Sequence, residues 1–333
     1  MEFKWSSKSI EQKGGLETLK IKEQWNAEVK LLFELGVLET FPESKELGIR
    51  GIDGKEYPVP RPEEIIARLE KNKEMILTKM EQGFTKLVME PFAYSFDKLS
   101  DKYKKTILEH HKNGKLLATK ENPTDPDENL PLDESEPLWR WEDGYNHCDT
   151  EDKMIYFPKE FRKDHGGKTK KELLSSDIIT GWNIWLVEDI PNIRREGKGQ
   201  EIGKRHQLET NKTPHEYLKL LQTNPEYKNE EGLTPEADIM YALMNLKEKN
   251  QVTNDYQGKG SLSCQLGGYL VSSGYVPYSC WYRGYRQAFL SGYYPSDLDS
   301  EYGVRVGVRV NSLNFDIFPF FFLFLFNLKQ YGV

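Results

Sequence analysis

Residues 261–310 read SLSCQLGGYLVSSGYVPYSCWYRGYRQAFLSGYYPSDLDSEYGVRVGVRV and contain no lysine, although the chain around them is lysine-rich. Eight of the chain's 18 tyrosines fall in this window, set among serines and glycines. Lysine is depleted from recognition surfaces because ordering its long, well-hydrated stem is entropically unfavourable. Tyrosine offers a large amphipathic contact with few rotors, while Ser and Gly adapt around it, the composition of antibody paratopes. Composition alone leaves two readings open, a binding face or an aromatic-rich β core. The end of the window reads as strand. Val304, Val306, Val308 and Val310 alternate with Arg305, Gly307 and Arg309, the period of two of a half-buried strand.

The whole chain has 333 residues, enough for two or three domains and an ample core. Its net charge of −7 and pI near 5.6 argue against a nucleic-acid binder driven by bulk charge. The window itself sets Arg283, Arg286, Arg305 and Arg309 against Asp297, Asp299 and Glu301, and so is about neutral. Three cysteines, Cys148, Cys264 and Cys280, are too few for a disulfide framework and favour a reducing compartment. The first residues contain no apolar stretch resembling a signal peptide. Residues 315–326 (FDIFPFFFLFLF) are almost wholly apolar but shorter than the roughly 20 residues that span a bilayer. No membrane span is expected; a buried terminal strand is, with a membrane or partner anchor as the alternative.

Four regions follow from the pattern. Residues 1–120 are expected to be a mainly helical module, with Trp25, Val29, Leu32 and Phe33 at helical spacing and a hairpin turn at Asp53-Gly54. A helix should begin at Pro62, its stripe running through Ile65, Ile66, Leu69, Ile76, Met80, Phe84, Leu87 and Val88. A second stripe passes through Phe96, Leu99, Tyr103, Ile107 and Leu108. Residues 121–137 (ENPTDPDENLPLDESEP) read as an acidic, proline-rich linker. Residues 138–310 suit a compact α+β domain of short strands and loops, and 311–333 form the apolar tail. Within the third region, Thr213-Pro214-His215-Glu216 is a capping box, and Thr234-Pro235 repeats the cap-plus-proline signal.

Gly267-Gly268-Tyr269, Trp281, Tyr285-Arg286-Gln287-Ala288, Pro295 and Tyr302-Gly303-Val304-Arg305-Val306 occur in an order that resembles the end of formylglycine-generating-enzyme-like domains, a branch of the C-type lectin fold. Upstream, Gly232-Leu233-Thr234-Pro235-Glu236-Ala237 loosely echoes the start of that family's core helix. Within this fold the chain most resembles the variable proteins of diversity-generating retroelements, in which a reverse transcriptase mutates template adenines and writes the copy into the gene's 3′ end. Segments 156–161 and 208–221 also look like variable proteins from archaeal viruses and from nanoarchaeal or candidate-phylum genomes.

The resemblance implies an α+β, C-type lectin-like ligand-binding domain with a variable region at about 269–305, preceded by the helical module. It implies diversified positions at Tyr278, Ser279, Cys280, Tyr282, Arg283, Gly284, Tyr285, Phe289, Ser291, Tyr293, Tyr294, Asp297, Asp299 and Ser300. It implies a fixed scaffold at Gly267, Gly268, Trp281, Arg286, Pro295, Gly303 and Arg305. The expected partner is a protein or glycan on another cell or particle, with no nucleic acid and no cofactor, at a virion-associated or cytoplasmic location. The alternative is a fixed-specificity adhesin or particle structural protein on the same fold.

Catalytic chemistry reads weakly. The oxidase branch binds copper through a close cysteine pair, and the resemblance puts Tyr282 and Gln287 at those positions. His110 and His111 are helix neighbours that point apart. The group His147, Cys148, Asp149, Glu151 and Asp152 reads as a polar loop before it reads as a metal site, and Asp297, Asp299 and Glu301 as solvated acids before calcium ligands. Residues 196–203 lack the Gly-Lys-Ser/Thr ending of a phosphate loop. The expected activity is binding, not catalysis.

Overall fold

The computed structural model describes residues 15–119, 131–176, 179 and 181–310; the apolar run at 315–326 lies outside the described residues. Helix α1 (Gly15–Glu34) leads into a small antiparallel sheet of β1 (Glu39–Thr40), β2 (Leu47–Arg50) and β3 (Glu56–Pro58), with Asp53-Gly54 in the β2–β3 turn as predicted. On α1, Leu32 is buried but Phe33 is 60% exposed. Helix α2 (Pro62–Lys71) starts at Pro62, where a missing N–H is no loss, and α3 (Lys73–Glu81) follows. The stripe expected to continue as helix through Phe84, Leu87 and Val88 instead forms strand β4 (Phe84–Glu90). An apolar run buried on both faces has no polar alternation to distinguish strand from helix. Helix α4 (Phe96–Lys112) completes this region.

Short elements follow: β5 (Leu138–Arg140), α5 (Glu142–Tyr145), β6 (Met154–Tyr156), β7 (Lys168–Thr169), α6 (Lys170–Ser175) and β8 (Asn183–Glu188). Residues 196–203 make a turn into the hairpin β9 (Glu201–Ile202) and β10 (Arg205–His206). Helix α7 (Pro214–Thr223) carries the predicted capping box, Thr213 and Glu216 each bonding the other's backbone N–H. After β11 (Glu231–Gly232), helix α8 (Pro235–Lys249) is capped by the Thr234 hydroxyl, which accepts from the Ala237 N–H at 3.1 Å. Strand β12 (Asp255–Tyr256) precedes the window, which then supplies β13 (Leu262–Cys264), β14 (Gly268–Leu270), β15 (Val276–Tyr282), β16 (Gln287–Tyr293), β17 (Tyr302–Val304) and β18 (Val306–Arg309).

The fold is α+β. An antiparallel sheet runs β11-β18-β8-β4, a mixed sheet runs β17-β13-β15-β16-β5 with β12 also on β15, and a third runs β14-β6-β7. Strand β4 pairs with β8 from Phe84↔Glu188 to Glu90↔Asn183, so residues on both sides of 121–137 share one sheet. The described part of that supposed linker is packed: Leu132 is buried and the Pro137 carbonyl accepts from the Ala288 N–H at 3.0 Å.

The outer edge of β4 is closed by side chains. The Leu87 N–H donates to Gln24 Oε1 at 2.9 Å and the Met89 N–H to Glu28 Oε2 at 2.6 Å, so α1 sits where a foreign strand would otherwise pair. Behind this sheet α8 is buried from Pro235 to Leu246 and touches β4, α4 and β15. The valine alternation divides between two sheets, β17 in the mixed one and β18 in the antiparallel one. Arg305, between them, is buried as well, so the alternation marks a crossing from sheet to sheet and not a solvated face.

Candidate recognition face

Register decides which side chains share a surface. In the β15–β16 hairpin, Val276↔Tyr293, Tyr278↔Ser291, Cys280↔Phe289 and Tyr282↔Gln287 lie on one face; Pro277↔Gly292, Ser279↔Leu290 and Trp281↔Ala288 lie on the other. Neighbouring strands add to the first face. Trp139 of β5 stands opposite Phe289, Tyr256 of β12 opposite Tyr282, and Cys264 of β13 opposite Tyr278.

The rings on this face form contacting groups. Trp139 stacks on Phe289 at 4.8 Å, and Tyr282 meets Phe289 at 5.3 Å, Tyr256 at 4.9 Å and Tyr285 at 4.6 Å. Toward the other end Tyr293 lies 4.9 Å from Tyr278 and 4.8 Å from Tyr302. At the rim Tyr294 meets Tyr275 at 4.5 Å, and Tyr275 in turn meets Trp141 at 5.2 Å. Spacings of this size are those of favourable edge-to-face and offset pairs. Exposure is graded across the array. Tyr285 is 56%, Tyr294 52% and Tyr293 36% exposed, against 9% for Tyr278 and 2% for Tyr302. The outermost rings therefore meet solvent while resting on an inner aromatic layer.

The positions expected to vary divide accordingly. Gly284, Tyr285, Tyr293, Tyr294 and Ser300 are exposed; Tyr282, Phe289, Ser291, Asp297 and Asp299 are half-buried. The other four are interior. Tyr278 and Cys280 point to the aromatic side but are covered. Ser279 turns the opposite way, and its hydroxyl donates to Asp238 of α8. Arg283 is clamped on Asp255, with Nε 2.8 Å from Oδ1 and Nη2 2.9 Å from Oδ2. That clamp depends on a missing side chain, since a Cβ on Gly258 would lie 2.2 Å from Arg283 Nε. Alternation along a strand sends every second residue inward, so a contiguous run such as 278–280 cannot all face out.

The scaffold positions are mostly interior. Trp281, Pro295 and Gly303 are buried, and Gly267 passes so close to the chain at Leu233 that a Cβ would sit 2.8 Å from backbone oxygen. Gly268 is buried in β14. Arg305 donates to the carbonyls of Ile190 (2.6 Å) and Pro191 (2.9 Å) and to Asn254 Oδ1 (3.0 Å), with its guanidinium 4.3 Å from the Tyr241 ring. Arg286 differs from the expectation. It is exposed, and it contributes a left-handed backbone (φ +57°) at the hairpin turn and a carbonyl that accepts from the Asp133 N–H at 3.2 Å.

The thiols of this region are buried. Burial pushes the Cys264 thiol up to about 12, and burial followed by the Asp255 charge pushes Cys280 well above the ordinary range, so neither offers a thiolate near neutral pH. Asp299 bonds the Glu301 N–H at 2.8 Å and Glu301 lies 3.5 Å from Arg195. Among the described residues no cluster of three or more His, Cys, Asp or Glu is placed to hold a metal, and no helix is long and apolar enough to cross a membrane.

Two features elsewhere escaped the sequence. Lys170, fully buried, donates to Asp149 at 2.9 Å and Glu236 at 2.7 Å, and the Tyr156 hydroxyl adds a bond to Glu236 at 2.6 Å. Asp149 thus belongs to a structural ion triad, not to a metal loop with His147. A cleft of about 1020 Å³ also opens beside Tyr156, Phe157, Lys159, Leu221 and Arg309. The triad joins residues scattered along the chain, and no short-range pattern announces it. Trp139 and Tyr256 were missed for the same reason, being brought to the face by parallel pairing alone. No family model matches this chain, and neither a curated protein nor a solved structure matches it.

Proposed function

We propose that the protein is a ligand-binding recognition protein, built on a C-type lectin-like scaffold and diversified by a retroelement, and that it binds a protein or glycan without transforming it. The observation that carries this reading is the graded aromatic face. Tyr285, Tyr293 and Tyr294 are solvent-exposed, yet they rest on Phe289, Tyr278 and Tyr275, while fold-holding contacts such as Ser279–Asp238 and the Arg305 anchor lie on other surfaces. Outer rings on a stiff support lose little entropy on binding and can be exchanged with little effect on the fold. The long β15–β16 hairpin and the buried α8 behind it support the lectin-like assignment.

The test is genetic. Copies of the coding region recovered from one population should differ at Tyr282, Tyr285, Phe289, Tyr293 and Tyr294 and agree at Gly267, Trp281, Gly303 and Arg305, with a near-identical template repeat and a reverse transcriptase gene adjacent. Differences spread evenly along the chain would overturn the reading. A fixed-specificity adhesin or particle protein is the second reading, favoured by the burial of Ser279, Cys280 and Arg283 inside the supposed variable stretch.

A further inference from the structure

We infer, building on that recognition reading, that the aromatic face takes a cationic polypeptide segment whose lysine or arginine heads seat against Tyr285, Tyr293 and Tyr294. The formal charge of the window is near zero, but its arginines are withdrawn from the face. Arg283 is held by Asp255, Arg305 is buried on the 190–191 carbonyls, and Arg309 belongs to the other sheet, 2.9 Å from Glu231. Only Arg286 stays exposed, at the hairpin turn beside Asp133.

The acids remain at the rim. Asp297 and Asp299 sit on the loop that joins β16 to β17 and enter no ion pair among the described residues; Asp297 N–H bonds the Tyr294 carbonyl at 3.0 Å. Their field reaches the rings: burial is the chief cause that raises the Tyr256 and Tyr302 hydroxyls, with the Asp299 charge a lesser one, and Tyr275 is raised first by its bond with Tyr294, with the Asp297 charge a lesser cause. At the far end Glu136 lies 3.4 Å from Gln287, while Glu142 and Asp143 directly follow Trp141 on the Tyr275–Tyr294 side. Ring faces carry negative quadrupole density, so an array of tyrosines ringed by carboxylates attracts a cation twice over. A neutral sugar carries no charge for either attraction and would be left with stacking and hydrogen bonds, and an acidic peptide would be repelled.

The experiment titrates the full chain with four ligands: octalysine, the same octamer acetylated on every side chain, octaglutamate and a neutral glucose hexamer. Octalysine should bind at least about tenfold more tightly than its acetylated form. Raising salt should weaken that binding. Asp297→Asn with Asp299→Asn should weaken it several-fold, and Tyr285→Ala with Tyr294→Ala about tenfold, with thermal unfolding unchanged. Equal binding of the two lysine octamers, or no binding of either, would overturn the inference. So would octalysine binding that ignores the tyrosine substitutions, because that is bulk attraction to an acidic protein. Tyrosine-dependent binding of the hexamer alone would overturn the cationic partner and leave the recognition reading intact; template-guided variation absent from the gene would do the reverse.

Discussion

Strand β15 faces two environments with opposite demands. On one side Tyr278, Cys280 and Tyr282 join an array of rings that touch one another through apolar surfaces and need no particular partner. On the other, Ser279 bonds a buried aspartate, and beyond it α8 enters an interior held by charges: Lys170 between Asp149 and Glu236, and Glu90 accepting from Thr234, Asn183 and Trp185. Ring contacts degrade gradually when one ring changes. A buried charge that loses its partner fails abruptly. Tolerance on one side is therefore bought by intolerance on the other.

The largest test of that contrast is Lys170→Met, which leaves Asp149 and Glu236 buried and uncompensated; denaturant unfolding should show a loss of about 3–5 kcal/mol. Next comes pH. Burial raises Glu28 from 4.5 to about 8 in the fold, opposed by its bond from the Met89 N–H. The folded state therefore holds a proton that the unfolded chain releases, so this contribution is complete below about 4.5 and lost as pH rises through 8. Within that window stability should fall by about 1.4 kcal/mol per pH unit for this group. Glu28→Gln should flatten the slope in melts taken at intervals of pH. Glu90, raised to about 7 first by burial and then by Glu236, acts in the same direction. Ser279→Ala, which removes a donor from Asp238, should cost about 1–3 kcal/mol by the same unfolding measurement. The smallest effect is expected on the outer face: Tyr285→Ser with Tyr294→Ser should stay within about 0.5 kcal/mol of the parent at each site. A loss there as large as that of Ser279→Ala would erase the distinction between the two sides.

Local chemistry was legible and pairing was not. Pro62, the Thr213–Glu216 box and Thr234-Pro235 announce α2, α7 and α8 because each signal acts within one turn of helix. Phe84, Leu87 and Val88 misled, since a strand covered on both faces has the texture of a helix stripe. The tyrosine window pointed to a strand pair with one aromatic face. Strand direction then divided it, sending Ser279 inward and Arg283 onto Asp255, and the partner Asp255 lies outside the run that drew attention. The lysine–carboxylate triad depends wholly on tertiary contact, which hydropathy does not encode.

The rim of β4 is guarded by Gln24 and by one buried carboxyl, Glu28, and this has a practical consequence. Alkali that ionises Glu28 would drive α1 away from Leu87 and Met89 and uncover two unpaired amides in a row. Above pH 8 those amides are open to a strand of another molecule, while the growing negative charge of this acidic chain holds molecules apart, so salt added at that pH should speed precipitation.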